Sequence, residues 1–160
     1  MTSDVLFPYR YKRIGMYIFL MGIVLGIWYL INQEGPPFLN WRVPALWFEG
    51  LDLSGAVFFG RITDNVLDEL ALILIIAGGI LIGFSRCRDE DEYIRKLRSD
   101  SLIWAFYVNY GILAASIIFV YGLSFLWIMT FNMLTPLLFF LFRFYYLLYR
   151  EKKSMYPDEK

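Results

Sequence analysis

Four apolar runs, at roughly residues 14–31, 66–85, 102–121 and 124–149, divide the chain into three polar segments that alternate with two others. A hydrocarbon core ~30 Å thick takes about 20 helical residues at a 1.5 Å rise. The second, third and fourth runs meet that length, and the first does so with Asn32 and Gln33 at its outer end. The pattern predicts spanning helices over 14–33, 64–85, 102–121 and 124–149, joined by a cytoplasmic helical extension over 86–101. The tails are 1–13 and 150–160. The fold class is thus an all-α integral membrane protein, read as a single membrane domain.

The segment 34–63 breaks this pattern. Phe38, Trp41, Trp47, Phe48, Phe58 and Phe59 lie among Pro36, Pro37, Pro44, Gly50, Gly55 and Gly60. Proline and glycine exclude a fifth long helix, and tryptophan beside membrane spans marks the headgroup level. Two short elements at the outer interface, capping the bundle, are expected. Asp64 is the expected N-cap of the second span, with Asp68 and Glu69 in its first turns, where the helix dipole favours acids.

Charge orients this pattern. Thirteen of the fifteen Lys and Arg residues lie on one side of it, and only Arg42 and Arg61 on the other. Cytoplasmic loops retain Lys and Arg, so both termini are expected inside. Arg10, Lys12 and Arg13 precede the first run, but no small-x-small cleavage site follows it, so a retained span is expected rather than a signal peptide. Arg143 falls near the inner end of the fourth run, where snorkelling explains it.

The inside loop is the best-patterned soluble stretch. Asp89, Glu90, Asp91 and Glu92 precede Arg95, Lys96 and Arg98. Asp91–Arg95 and Glu92–Lys96 are i,i+4 pairs in the favourable order. A helix starting near 89 and running unbroken into the third span is expected, with Tyr93, Leu97 and Arg98 on its partner-facing side. The short link Val120–Ser124 makes the third and fourth spans an antiparallel hairpin.

Composition then excludes much chemistry. The chain has no histidine and one cysteine, Cys87. That removes the commonest general base, zinc ligand and haem ligand, and any intrachain disulfide. No phosphate-binding glycine motif is present. The residues point to no enzyme, cofactor, metal or nucleic-acid partner.

Three constellations remain. Gly22-x-x-x-Gly26 and Gly79-x-x-x-Gly83 are small-residue packing motifs, either between spans of this chain or in an oligomer; Gly111 and Ala115 repeat the spacing. Asn109, Asn132 and Thr135 form a candidate intramembrane polar site beside Pro136. Pro136 has no N–H, so the carbonyl of Asn132 loses its helical partner, and an Asn109 donor is expected to replace it. The other reading makes these three a permeation or ligand site, with Tyr107 and Tyr110 as companions. The acids Glu34, Glu49, Asp52, Asp64, Asp68 and Glu69 gather near the outer surface, explained by helix capping and exclusion of positive charge or by cation attraction.

The stretches Phe84-Ser85-Arg86, Asp89–Arg98, Trp104-Ala105, Tyr107–Tyr110 and Asn132–Leu137 resemble a group of small bacterial multi-span membrane proteins without an assigned activity. The resemblance covers roughly 62–150 and implies no catalytic residues. It implies a bacterial inner-membrane location and a gene neighbour encoding a helix-turn-helix regulator. Two functions follow as expectations. One is a signalling or assembly accessory whose cytoplasmic helix binds a cytosolic protein, with a homo-oligomer also possible. The other is a small transporter or channel subunit with its polar site at Asn109 and Asn132.

Overall fold

The computed structural model describes residues 6–32, 35–49, 56–88 and 90–155. The sequence-predicted features at Glu34, Asp52, Gly50, Gly55 and Asp89 lie outside them. The chain is mostly helical, with α1 Arg10–Asn32, α2 Leu67–Gly83, α3 Glu92–Phe119, α4 Leu123–Asn132 and α5 Thr135–Met155. Between α1 and α2 lie a 3-10 turn, Pro37–Leu39, and two strands, β1 Asn40–Glu49 and β2 Ala56–Asn65. Two compact units result, Phe19–Ile75 and the remainder of the chain.

The strands correct the all-α expectation. β1 and β2 pair antiparallel from Asn40↔Asn65 to Glu49↔Ala56. Both are rich in aromatic and β-branched residues, which suit a pleated ribbon, and Pro44 is tolerated because β1 has a free edge. The ladder pairs Ala45 with Gly60 and then Trp47 with Phe58, passing over Leu46 and Phe59. Phe59 there has φ 58, the left-handed region that a side chain seldom adopts. Phe38, Trp41 and Phe59 are exposed.

Asn65, not Asp64, starts α2. Its Oδ1 accepts from the Leu67 amide at 3.2 Å, while its Nδ2 donates to Asn40 Oδ1 at 2.7 Å and to the Pro36 carbonyl at 3.2 Å. Asp64 Oδ1 instead accepts from the Asn65 amide. One side chain thus ties the base of the hairpin to the helix start. Because β2 runs through Asn65, α2 is shorter than the predicted 64–85, at 17 residues.

The α1–α2 contacts use the small residues. In the Phe19–Ile75 unit, Gly22 lies against the backbone and side chain of Ile75 and against Leu74, and Gly26 faces Ala71 and Ile75 more loosely. In the other unit, Gly15 approaches Leu81 and the Gly78 carbonyl, Gly79 meets Leu137, and Gly83 meets Phe140 and Leu141. The core of that unit is Ala105, Phe140, Leu141 and Phe144. Phe84, Phe140 and Phe144 form a ring stack with centroids 5.5 and 6.0 Å apart.

The fourth predicted span is not one helix. α4 and α5 meet at a break with a 47° bend. Pro136 sits in the first turn of α5, where its missing N–H is harmless. The turn amides of Met133 and Leu134 donate to the carbonyls of Thr130 and Phe131, and the Thr135 hydroxyl also donates to Phe131. The proline that was expected to be absorbed inside a helix starts a new one.

α3 ends at Phe119, and Gly122 turns the chain with φ 73 and ψ −152. Only glycine adopts this conformation without strain. Gly122→Ala is expected to cost about 1–3 kcal/mol, read as a lower unfolding midpoint in detergent, although nothing lies within 4 Å of the added methyl. Two helices, α1 and α3, are long and apolar enough to cross a membrane, and the α4–α5 pair adds a third if it is one span.

Candidate functional site

The segment between α2 and α3 is built differently from the expected charge-laced helix. α3 begins at Glu92, and Asp91 is its N-cap, accepting from the Ile94 amide at 2.8 Å. That commits Asp91 to the backbone rather than to a surface pair with Arg95. The cap follows from Asp91's extended backbone, which lets its carboxylate reach the free amide of the third helical residue, Ile94.

Arg98 corrects the sequence reading most sharply. It was expected to face a partner, but it is only 6% exposed. Its guanidinium donates to both oxygens of Glu90, at 2.7 Å from Nη1 to Oε1 and 3.2 Å from Nη2 to Oε2. Nη2 also reaches the Ser85 carbonyl at 3.2 Å and Cys87 Sγ at 4.0 Å. The guanidinium carbon stands 5.1 Å from the centre of the Phe144 ring. Nε alone is buried without a partner.

Glu90 closes the loop on itself by accepting from the Cys87 amide at 2.6 Å. Burial pushes its carboxyl up, but the Arg98 hydrogen bonds, the Cys87 amide and the charges of Arg98 and Arg95 outweigh that, and the net shift is downward. Glu90 therefore stays ionised, as a buried arginine requires. Cys87 is a buried thiol, packed as part of this cluster.

The same cluster anchors the chain's beginning. Phe7 and Ser85 form a parallel bridge, with the Phe7 amide donating to the Phe84 carbonyl and the Arg86 amide to the Phe7 carbonyl, each at 2.9 Å. Lys12 lies 4.7 Å from the Tyr145 ring centre, and the Tyr145 hydroxyl donates to the Ile82 carbonyl at 3.1 Å. Arg98 thus holds the 85–90 loop, to which the N-terminal segment pairs, against α5. One turn on, Ser101 is fully buried and donates to its own helix at Leu97.

With one face clamped, the other face of α3's N-terminal end is open. Glu92, Lys96, Ser99 and Asp100 are exposed and make no ion pair among the described residues. Tyr93 is half-exposed and donates to Glu151 on α5, and Leu97 is half-buried. The Glu151 carboxylate, with burial and the charges of Glu151 and Asp91, raises the Tyr93 phenol above its ordinary value.

The amides of Asn109 and Asn132 do meet. Asn132 Nδ2 donates to Asn109 Oδ1 at 3.0 Å, and Asn109 Nδ2 to Asn132 Oδ1 at 3.4 Å. Asn109 engages the Asn132 side chain, not its carbonyl as expected, because the break after α4 leaves that amide free to turn inward. Thr135 spends its hydroxyl on its own turn and does not join the pair. Tyr107 and Tyr110 are exposed on the side of α3 away from buried Ala105 and Asn109, so they are no companions of Asn109. Asn109→Leu should cost about 0.6–1.7 kcal/mol, the range of polar pairs between membrane helices. A double-mutant cycle with Asn132→Leu measures it.

Of the acids expected near the outer surface, Asp68 and Glu69 occupy the first turn of α2. Among the described residues, no cluster of three acidic, histidine or cysteine side chains is arranged to hold a metal ion.

No family model, curated protein or solved structure matches this chain.

Proposed function

We propose that this protein is a multi-pass inner-membrane accessory whose cytoplasmic α3 end docks a cytosolic partner. In this reading α2 is a fourth span, both termini are cytoplasmic, and the hairpin is outside. Seventeen residues of α2 extend about 25 Å, the short end of the range that crosses a bilayer. The bacterial location rests on the resemblance of 62–150 to small bacterial membrane proteins, and the inside placement on the Lys and Arg excess.

The observation that carries the docking reading is the open face Glu92–Lys96–Ser99–Asp100 on a helix end that is capped, clamped and continuous with a span. A set of charges of both signs, without an ion pair among the described residues and fixed on a clamped helix end, suits recognition because little ordering entropy remains to be lost on binding. A partner released by a shift of the clamp would link the membrane to the cytosol.

The transporter reading gains less. Its two amides satisfy one another, and its tyrosines point elsewhere.

Crosslinking from a photoreactive residue at position 99 followed by co-purification tests the proposal. A stoichiometric soluble protein is expected, lost in the double charge reversal Lys96→Glu with Asp100→Lys. Capture that survives the reversal, or a protein that purifies without a partner, would overturn it.

A further inference from the structure

A cavity of about 350 Å³ lies between the cytoplasmic ends of α3 and α5, lined by Tyr93, Leu147, Arg150 and Glu151. Its two charges are adjacent in sequence, so they diverge by about 100° around the helix rather than neutralise each other. Arg150 makes no ion pair or hydrogen bond among the described residues. Glu151 uses one oxygen, Oε1, to accept from the Tyr93 hydroxyl, and its other oxygen has no protein donor among the described residues. The site therefore offers a fixed carboxylate oxygen at one pole and a bare guanidinium at the other.

Leu147, one turn before Arg150, supplies an apolar wall on the membrane side. Around it Phe142, Tyr146 and Tyr149 are exposed on α5, an aromatic belt that suits the headgroup level. A ligand that fits has a phosphate for Arg150, an ammonium bearing N–H donors for Glu151, and an apolar continuation past Leu147. Guanidinium is suited to phosphate by its planar fork of donors.

We infer that this cavity binds the phosphoethanolamine headgroup of a membrane lipid. The inference rests on the inward placement of the α5 end proposed above, and is separable from partner docking because its two charged groups, Arg150 and Glu151, belong to α5. Bound there, the lipid bridges α3 to α5 beside the Arg98 clamp and makes the exposed α3 face sensitive to the lipid around it.

Native mass spectrometry of the full chain in mild detergent tests this, with phosphatidylethanolamine, phosphatidylcholine and phosphatidylglycerol supplied in equal amounts. Phosphatidylcholine keeps the phosphate but has no N–H donors, and phosphatidylglycerol has the phosphate and no amine. Phosphatidylethanolamine is expected to be retained about tenfold over either, the scale of one charge-assisted hydrogen bond. Glu151→Gln should remove that preference, while Arg150→Gln should lower retention of all three lipids. The two variants must lose different things, a pattern that general misfolding would not produce. Equal retention of the three lipids, or a preference untouched by Glu151→Gln, would overturn the inference. So would free phosphoethanolamine binding as tightly as the lipid, or a soluble protein held there in its place. If the inward placement itself is wrong, an impermeant thiol reagent labels Ser154→Cys from outside the cell, whatever the lipid result.

Discussion

Replacing Arg98 with alanine is expected to lower stability by about 3–5 kcal/mol, the scale for breaking a buried ion pair from one side. The loss comes mostly from Glu90, left as a carboxylate 14% exposed at its side chain with no cation against it. It also frees the Ser85 carbonyl and the face of Phe144, so the 85–90 loop and the N-terminal segment paired to it should loosen together. Glu90→Gln should cost a similar amount by stranding the guanidinium. The double variant Arg98→Met with Glu90→Leu should cost less than either single change, since no charge is then left buried. Chemical unfolding in detergent measures all three.

The pair also fixes a pH dependence. Glu90's carboxyl is held below its unfolded value, so its contribution is complete above the unfolded value and is lost as pH falls through the lowered folded one. Acid below the ordinary carboxylate range, and not milder acid, should therefore loosen the Arg98–Glu90 cluster, and the Glu90→Gln variant should lack that step.

The second large effect separates two glycines of one motif. At Gly22 an added methyl would stand 2.8 Å from the Ile75 backbone nitrogen and 3.0 Å from Leu74 Cβ. Backbone cannot yield as a flexible side chain does, so α1 and α2 must part, and Gly22→Ala should cost about 1–3 kcal/mol. At Gly26 the nearest atoms are 3.9 Å away, an ordinary contact. Gly26→Ala should be neutral or stabilise by up to about 1 kcal/mol, because glycine is a poor helix residue. Opposite signs from residues four apart, read as thermal midpoints of the two variants, are the expected outcome. Equal losses would mean that both glycines are close contacts.

Much of the architecture was legible because its cause is local. Runs of apolar residues set the helices, Gly122 set the α3–α4 turn, and the motif glycines indicated close packing. The hairpin was hidden by its own aromatics, which read as interfacial anchors while their β-forming character went unused. The sequence features that point to it are the aromatic and β-branched runs at 40–49 and 56–65 around a glycine-bounded link. Pro136 was read as a flaw to be repaired inside a helix, whereas a proline is equally suited to start one, and only packing chooses between the two.

Arg98 was missed for a different reason. Spacing along one helix pairs charges at i,i+4, but Glu90 lies in the preceding loop and reaches Arg98 across a turn. The burial that makes this pair matter comes from Phe144 on α5, and no local pattern contains it. Asn109 and Asn132 were found because folding a short hairpin brings them to one depth; their orientation depended on the α4–α5 break.

The arrangement of the membrane segments is tested most directly by thiol labelling. In a Cys87→Ser background, Thr63→Cys places a thiol on the exposed hairpin and Lys96→Cys one on the exposed face of α3. An impermeant maleimide applied to intact cells is expected to label Thr63→Cys at once and Lys96→Cys only after permeabilisation. Labelling of both from the same side would mean that α2 does not cross the membrane, and would contradict the account.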